Sequence, residues 1–201
     1  MRRKNSHDRD IWLCPRCQKV YTACMMYIIS GVCGVGKTSV MPGLSTRLDP
    51  HRYVIHDFDE RGVPDGADKA WRIAELRQWL EIARDNAQKG LSTVICGFTK
   101  SSDLEALQVQ NAPEVKLVLL HAEPEIVRKR LEGRYSKHGV FDATQTVIGK
   151  PVTEFIEGNV WYASHMLAEF QEHDGTVIDT SELTPDEVAE QIVKVISSST
   201  T

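Results

Sequence analysis

Gly31-Val-Cys-Gly-Val-Gly36-Lys37-Thr38 is the stretch from which the fold of this chain is inferred. It matches the pattern G-x-x-x-x-G-K-[ST], in which glycines let backbone N–H groups turn inward around a phosphate. The lysine reaches the β- and γ-phosphates, and the threonine hydroxyl is placed to contact Mg²⁺. The predicted nucleotide-binding set is Gly31, Val32, Cys33, Gly34, Val35, Gly36, Lys37, Thr38 and Ser39.

The sequence on either side of this motif has the order that a phosphate-binding loop requires. Met25-Met-Tyr-Ile-Ile-Ser30 predicts a buried strand, and residues 39–48 predict a helix whose N-terminal end adds positive potential at the loop. The alternative is a glycine-rich turn that binds no ligand. The succession of strand, glycine loop and helix favours the phosphate site.

Length and composition limit the class of protein. The 201 residues suffice for one α/β domain, and 41% hydrophobic with 26% charged residues is typical of a soluble globular protein. The net charge of −4 gives no indication of broad binding to nucleic acid or anionic membranes, and no apolar run reaches the length of a membrane span. Five cysteines without disulfide-like spacing, and the lack of a signal-peptide pattern, predict a reducing cytoplasm.

The chain divides into three parts. Residues 1–24 are expected to be a disordered or loosely attached leader, residues 25–196 the P-loop domain, and residues 197–201 a frayed tail. The pair Cys14 and Cys17 has the spacing of half a zinc site, which Cys24, His7 or Cys33 would have to complete. No second Cys-x-x-Cys pair follows, so a metal-free leader is the alternative.

After residue 25, patterns of strands and helices alternate. Strands are predicted at 25–30, 53–56, 92–96, 115–120 and 176–179, and helices at 39–48, 68–89, 124–134, 152–173 and 185–196. Strands separated by helices predict a parallel sheet with the ligand at the carboxyl ends of its strands. Residues 135–152 lack periodicity and are expected to form a mobile loop, with a lid near 134–152.

A pair of carboxylates follows the second predicted strand, at Asp57-Phe-Asp59. Residues two apart in a strand point to the same face, so both carboxylates are expected to face the cleft. One carboxylate can hold Mg²⁺ together with Thr38, and the other can orient or deprotonate an acceptor hydroxyl. The predicted metal ligands are Thr38 and Asp57, while the sequence leaves open which aspartate is the base. The alternative is a solvated acidic turn.

Basic residues occupy the helix that leads into the predicted lid. Arg130 and Arg134 are four residues apart and share a helical face, from which arginines can stabilise a transferring phosphoryl group. The alternative is a solvated face paired with Glu125 and Glu132. The predicted catalytic set is Lys37, Asp59, Arg130 and Arg134.

The third predicted strand ends at Cys96-Gly97-Phe98, where many P-loop proteins have an aspartate for the metal. Cysteine is a poor Mg²⁺ ligand, so metal binding is expected to depend on the other candidates. Gly97 is expected to allow close approach of a ligand or of backbone. The predicted acceptor-binding set is Asp57, Asp59, Arg61, Arg72 and Gly97.

Together these features resemble the small P-loop kinases, a group that includes adenylate and other nucleoside monophosphate kinases, shikimate kinase and gluconate kinase. The resemblance covers about residues 25–196. The run 118–134 is similar to the fourth strand and lid-entry helix of the group, Cys96-Gly97-Phe98 to the D-G-F of adenylate kinases, and Asp57-Phe-Asp59 to the D-x-D of shikimate kinases.

The resemblance implies an α/β, three-layer P-loop NTPase fold: a five-stranded parallel sheet of order 2-3-1-4-5 with helices on both faces. It also implies a lid that closes over ATP and magnesium-dependent transfer of the γ-phosphate. By position, Asp57 would serve the metal and Asp59 the acceptor, with Arg130 and Arg134 in the lid. The expected partner is a small-molecule hydroxyl or nucleotide acceptor, with no membrane.

Two further functions remain as alternatives. Cys96 in the usual acidic position suggests a nucleotide-binding regulator or slow ATPase that has no small-molecule acceptor. The Cys14 and Cys17 pair suggests a nucleic-acid-associated zinc protein. The sequence does not predict the identity of the acceptor or the oligomeric state.

Overall fold

A computed structural model describes residues 12–13, 20–21, 24–107, 109–172 and 176–199. Its sheet and helices follow the alternation that the sequence predicts. The strands of the described residues are β1 Trp12–Leu13, β2 Val20–Tyr21, β3 Met25–Ser30, β4 Tyr53–Asp57, β5 Ser92–Cys96, β6 Glu114–His121, β7 Ser136–Lys137, β8 Val140–Phe141, β9 Thr146–Val147, β10 Lys150–Pro151 and β11 Thr176–Asp179. The helices are α1 Lys37–Arg47, α2 Lys69–Gln88, α3 Ser101–Glu105, α4 Pro124–Arg134, α5 Val152–Glu172 and α6 Pro185–Ser198.

Five strands form one parallel sheet of order β11-β6-β3-β5-β4. Numbered one to five along the chain from β3 and followed across the sheet from β4, these strands have the order 2-3-1-4-5. The predicted fold class and strand order are therefore confirmed. All six residues of the central strand β3 are buried, and its carboxyl end leads directly into the glycine loop.

Helices cover both faces of the sheet. Tyr27 and Ile29 of β3 point into a core that includes α1, α4, α5 and α6, whereas Met26 and Ile28 point into a second core against α2. Burial on both faces explains why β3 is an uninterrupted apolar run rather than an alternating pattern.

Helix ends follow the local signals in the sequence. The Asp68 side chain accepts a hydrogen bond from the Trp71 N–H at the start of α2, and Thr184 forms a capping box with Glu187 at the start of α6. Helix α6 continues to Ser198, two residues past its predicted end, so the first part of the predicted tail is helical. Helix α1 begins at Lys37, two residues earlier than predicted.

The segment 135–152, which was expected to be a mobile loop without periodicity, contains regular structure. Two short antiparallel hairpins occupy this segment, β7 with β8 and β9 with β10, and α5 begins directly after them. Strands of two residues are too short to show the period-two pattern by which strands are recognised. The helix α3 was not predicted either, because five residues are too few to show a helical period.

The predicted leader contains the antiparallel pair β1 and β2. Cys14, Cys17 and His7, the candidates for a zinc site, lie outside the described residues. Within the described ranges, no helix is both long enough and apolar enough to cross a membrane.

Gly97, the residue after β5, allows a close approach between two parts of the chain. A Cβ placed on Gly97 would lie 2.0 Å from the Cβ of Phe58, a side chain that is only 2% exposed. We therefore expect Gly97→Ala to lower the free energy of unfolding by about 1–3 kcal/mol through overpacking, measured by urea denaturation. Gly133→Ala is the control, since a Cβ there meets nothing within 4 Å. Equal stability of both variants and the wild type would contradict this packing.

Candidate functional site

The glycine loop between β3 and α1 has the backbone that the motif requires. Gly31, Gly34 and Gly36 have φ values of +145°, +92° and +101°. A Cβ at Gly31 would lie 2.4 Å from the carbonyl oxygen of Leu120, so a larger residue does not fit there. The Lys37 ammonium donates hydrogen bonds to the carbonyl oxygens of Gly31, at 2.7 Å, and Val32, at 2.8 Å. The lysine thus folds back over the start of the loop.

Side chains from distant parts of the chain hold the loop in place. The Cys33 N–H donates to the Asn159 Oδ1 of α5 at 2.8 Å, and the Asn159 amide donates to the Phe155 carbonyl oxygen at 2.8 Å. The Thr180 hydroxyl, just after β11, lies 3.0 Å from the carbonyl oxygen of Val35. Sequence reasoning missed Asn159 and Thr180 because they lie 126 and 145 residues from their loop partners and no motif marks them.

The two predicted metal ligands are in direct contact. The Thr38 hydroxyl lies on the first turn of α1 and donates to Asp57 Oδ2 at 3.2 Å. Strand β4 ends at Asp57, so Asp59 lies in the following turn rather than on the strand. Its N–H donates to Asp57 Oδ1 at 2.9 Å. The turn, and not strand alternation, brings the two carboxylates together.

These groups have the chemistry of a Mg²⁺–nucleotide site. A hydroxyl and a carboxylate are the hard oxygen ligands that Mg²⁺ prefers, and Mg²⁺ usually keeps several waters and takes further oxygens from phosphates. In the part of the chain that the structure describes, no three His, Cys, Asp or Glu side chains form a metal cluster. An all-protein cage is therefore not present there, but the Thr38 and Asp57 pair fits a metal shared with phosphates.

Burial changes the acidity of two groups beside the loop. The pKa of Asp59 is raised, first by burial and then by the negative charge of Asp57, against an opposing effect of Lys37. Burial likewise raises the pKa of Cys96 to about 12. With this pKa, Cys96 is a neutral thiol at neutral pH, whereas the thiolate is the form of cysteine that binds metals.

The two arginines that were predicted to act from the lid, Arg130 and Arg134, differ in their surroundings. Arg130 donates to the carbonyl oxygens of Thr180, at 2.7 Å, and Gly34, at 3.3 Å, and thus ties the glycine loop to the segment after β11. Arg134 is exposed at the end of α4. Within the described residues, neither arginine forms an ion pair with Glu125 or Glu132. Arg130 therefore supports the loop, whereas Arg134 is exposed to solvent.

Both arginines predicted to hold an acceptor are paired with carboxylates that sequence reasoning missed. Arg61 Nε lies 2.9 Å from Glu75 Oε1. Arg72 makes a bidentate contact with Asp103, with Nε–Oδ2 at 2.7 Å and Nη2–Oδ1 at 3.3 Å, and Asp103 is completely buried. The buried carboxylate fixes the direction of the Arg72 guanidinium.

A series of side-chain contacts with aromatic rings connects Arg72 with α5. The Arg72 guanidinium carbon lies 5.2 Å from the centre of the Phe98 ring, which in turn makes an edge contact with Tyr162 at 5.8 Å. The Lys100 ammonium lies 4.4 Å from the centre of the Tyr162 ring. Thus α5 contacts both the glycine loop, through Asn159, and the segment after β5, through Tyr162.

Comparisons with known proteins identify the fold. No protein-family model matches the chain, and no curated protein matches it in sequence. Among solved structures, APE1195 aligns with a TM-score of 0.58 and 16% identity over 90% of this chain and 98% of that one. A sugar kinase from Janibacter sp. HTCC2649 aligns with a TM-score of 0.55 and 19% identity, covering 87% of this chain and 95% of the kinase.

A third structure, shikimate kinase from Acinetobacter baumannii in complex with shikimate, aligns with a TM-score of 0.52 and 16% identity over 89% of this chain and 95% of that one. Two of these three structures are kinases, and the alignments extend over nearly the whole domain. The chain therefore has the fold of the small P-loop kinases, which is the class that the sequence resemblance predicted.

Proposed function

We propose that this protein is a Mg²⁺–ATP-dependent kinase that transfers the γ-phosphate to a hydroxyl group of a small molecule. The observation that carries the proposal is the placement of Asp57 and Asp59 beside the P-loop, with Asp57 in contact with Thr38. A carboxylate pair at this position supplies a metal ligand and a base next to the phosphates. The kinase fold of the structural neighbours supports the same class of reaction.

Each side chain has a distinct role in the proposed reaction. Lys37 and the loop N–H groups would bind the phosphates, and Thr38 and Asp57 would hold Mg²⁺, which would supply positive charge to the phosphate oxygens. Asp59 takes the proton of the acceptor hydroxyl as its oxygen bonds to the γ-phosphorus, and ADP leaves. Arg134 stabilises the charge on the transferring group, while Arg130 acts indirectly by keeping Gly34 in place.

The raised pKa of Asp59 favours a hydroxyl acceptor over a nucleotide monophosphate. A carboxyl group with a pKa closer to the working pH is a better proton acceptor in its ionised form, and transfer to a hydroxyl needs that proton removed. Transfer to an existing phosphate needs arginines to grip it, but Arg61 and Arg72 are already paired with Glu75 and Asp103. We assign the acceptor position to the space bounded by Asp59, Arg72 and the residues after Gly97.

We place the reaction in the cytoplasm, in accord with the free thiols of Cys24, Cys33 and Cys96. The test of the function is ADP release from Mg–ATP with a panel of nucleosides, nucleoside monophosphates, shikimate, gluconate and other polyols. Acceptor-dependent ADP release by the wild type, and none by a Lys37→Ala blank, is the expected result. The same slow ADP release with every compound would instead favour a slow ATPase or a regulator.

A further inference from the structure

A serine hydroxyl joins the strand that leads into the glycine loop to the segment of residues 97–100, which follows β5. Ser30 is the last residue of β3 and directly precedes Gly31. Its hydroxyl donates a hydrogen bond to the Thr99 carbonyl oxygen at 2.5 Å, and the Thr99 N–H donates to the Ser30 oxygen at 3.0 Å. Because a hydroxyl can donate and accept at once, one side chain satisfies both backbone groups of Thr99.

This two-point contact lies in the interior of the protein. Ser30 and Thr99 are both completely buried, and buried backbone groups that lose their partner carry the cost of their desolvation. A backbone hydrogen bond lies beside the contact, because the Gly97 N–H donates to the Ile29 carbonyl oxygen at 3.0 Å. The end of β3 therefore holds the segment after β5 at a fixed distance from the first glycine of the loop.

The same segment contacts the other groups to which the acceptor position is assigned. The Phe98 ring centre lies 5.2 Å from the guanidinium carbon of Arg72. On the other side, the N–H of Phe58, the residue before Asp59, donates to the Cys96 carbonyl oxygen at 2.9 Å. The chain after β5 is thus in contact with the arginine, with the turn that carries the proposed base and, through Ser30, with the start of the glycine loop.

We propose that Ser30 is a positioning residue that sets the distance between the glycine loop and the acceptor. Its hydroxyl holds Thr99, and thereby fixes the segment beside the acceptor relative to the loop that binds the phosphates. The inference rests on the proposed kinase function and adds to it a residue that touches neither substrate. Transfer between two bound molecules depends on such alignment, and a displacement of about 1 Å can cost about 100-fold in rate.

Ser30→Ala tests the inference, because alanine removes both side-chain hydrogen bonds to Thr99 and leaves every residue of the glycine loop in place. We expect kcat at saturating acceptor to fall about 10- to 100-fold. The KM for ATP should stay the same, since Lys37 and the loop are unchanged. ADP release without acceptor should also stay the same, because water is not aligned by this segment. Ser30→Thr, which retains the hydroxyl, should restore most of the wild-type kcat.

Ser92→Ala is the matched control, because it removes a buried serine hydroxyl between the same two strands at the opposite end of the sheet. Ser92 is the first residue of β5, and its hydroxyl accepts a hydrogen bond from the N–H of Met25, the first residue of β3, at 3.2 Å. Both variants should lower the melting temperature. Ser92→Ala should nevertheless leave kcat and both KM values unchanged.

If Ser30→Ala loses stability but keeps the wild-type kcat, as Ser92→Ala should, the inference is overturned while the kinase function stands. A higher KM for ATP with an unchanged kcat would also overturn it, since Ser30 would then act on the nucleotide site alone. If the wild type itself shows no acceptor-dependent ADP release, the proposed function fails and the inference fails with it. Should Ser30→Ala not fold, Ser30→Cys provides the same comparison, because a thiol is a weak donor and acceptor.

Discussion

Replacing Lys37 by alanine is expected to lower acceptor-dependent ADP release by about 10²–10³-fold, the usual loss when one charge-stabilising donor is removed from a transition state. The Lys37 ammonium donates hydrogen bonds to two carbonyl oxygens of its own loop, those of Gly31 and Val32. A positive charge held there is available to phosphate oxygens, and alanine removes it. Steady-state assays with saturating acceptor measure the effect.

Two controls show whether the effect of Lys37→Ala comes from loss of the charge at the glycine loop. Lys89→Ala removes an exposed lysine at the end of α2 and should leave ADP release unchanged. Thermal melting of Lys37→Ala should show a folded protein, because α1 retains its core contacts at Val40 and Leu44. A folded Lys37→Ala variant with wild-type activity would exclude phosphate binding by this loop as the basis of function.

Replacing Asp59 by asparagine is expected to lower kcat by about 10²–10⁴-fold, the range for loss of a general base. The same change should raise the melting temperature at neutral pH. Since the folded-state pKa of Asp59 is raised, the folded protein binds a proton more readily than the unfolded chain. The ionised carboxylate therefore costs stability above its raised pKa, and the neutral amide removes that cost.

The pH dependence checks this assignment in two ways. The stability difference between Asp59→Asn and the wild type should shrink as pH falls and vanish below the ordinary aspartate pKa, where both side chains are neutral. Wild-type kcat/KM should fall as pH decreases through the raised pKa of Asp59, because only the ionised form accepts a proton. A variant that loses activity without gaining stability at neutral pH would contradict the electrostatic account.

Asp57→Asn distinguishes the two carboxylates. Asp57 contacts the Thr38 hydroxyl, so its loss should weaken Mg²⁺ binding and be partly restored by a higher Mg²⁺ concentration. Asp59→Asn should not respond to added Mg²⁺. The reverse pattern would make Asp57 the base and Asp59 the metal ligand.

The sequence predicted most of the fold because the strongest signals are local. The bounds of β3 and β5 are as predicted. β4 is one residue longer than predicted at its C-terminal end, and β6 is one residue longer at each end. The capping residues Asp68 and Thr184 mark the starts of α2 and α6, and each cap is recognisable from a stretch of four residues. The two short hairpins within residues 135–152 were not predicted, because they depend on their turns rather than on a hydrophobic period.

The amino-acid sequence alone determined the P-loop, the parallel α/β fold and the residue types beside the glycine loop, since each depends on short-range patterns and backbone preference. Only the tertiary structure decided which groups are neighbours: Asn159 and Thr180 behind the loop, Asp103 with Arg72, Glu75 with Arg61, and the β9–β10 turn beside Gly66. The physical reason is that these contacts join elements far apart in the chain, so no short-range pattern in the sequence marks them.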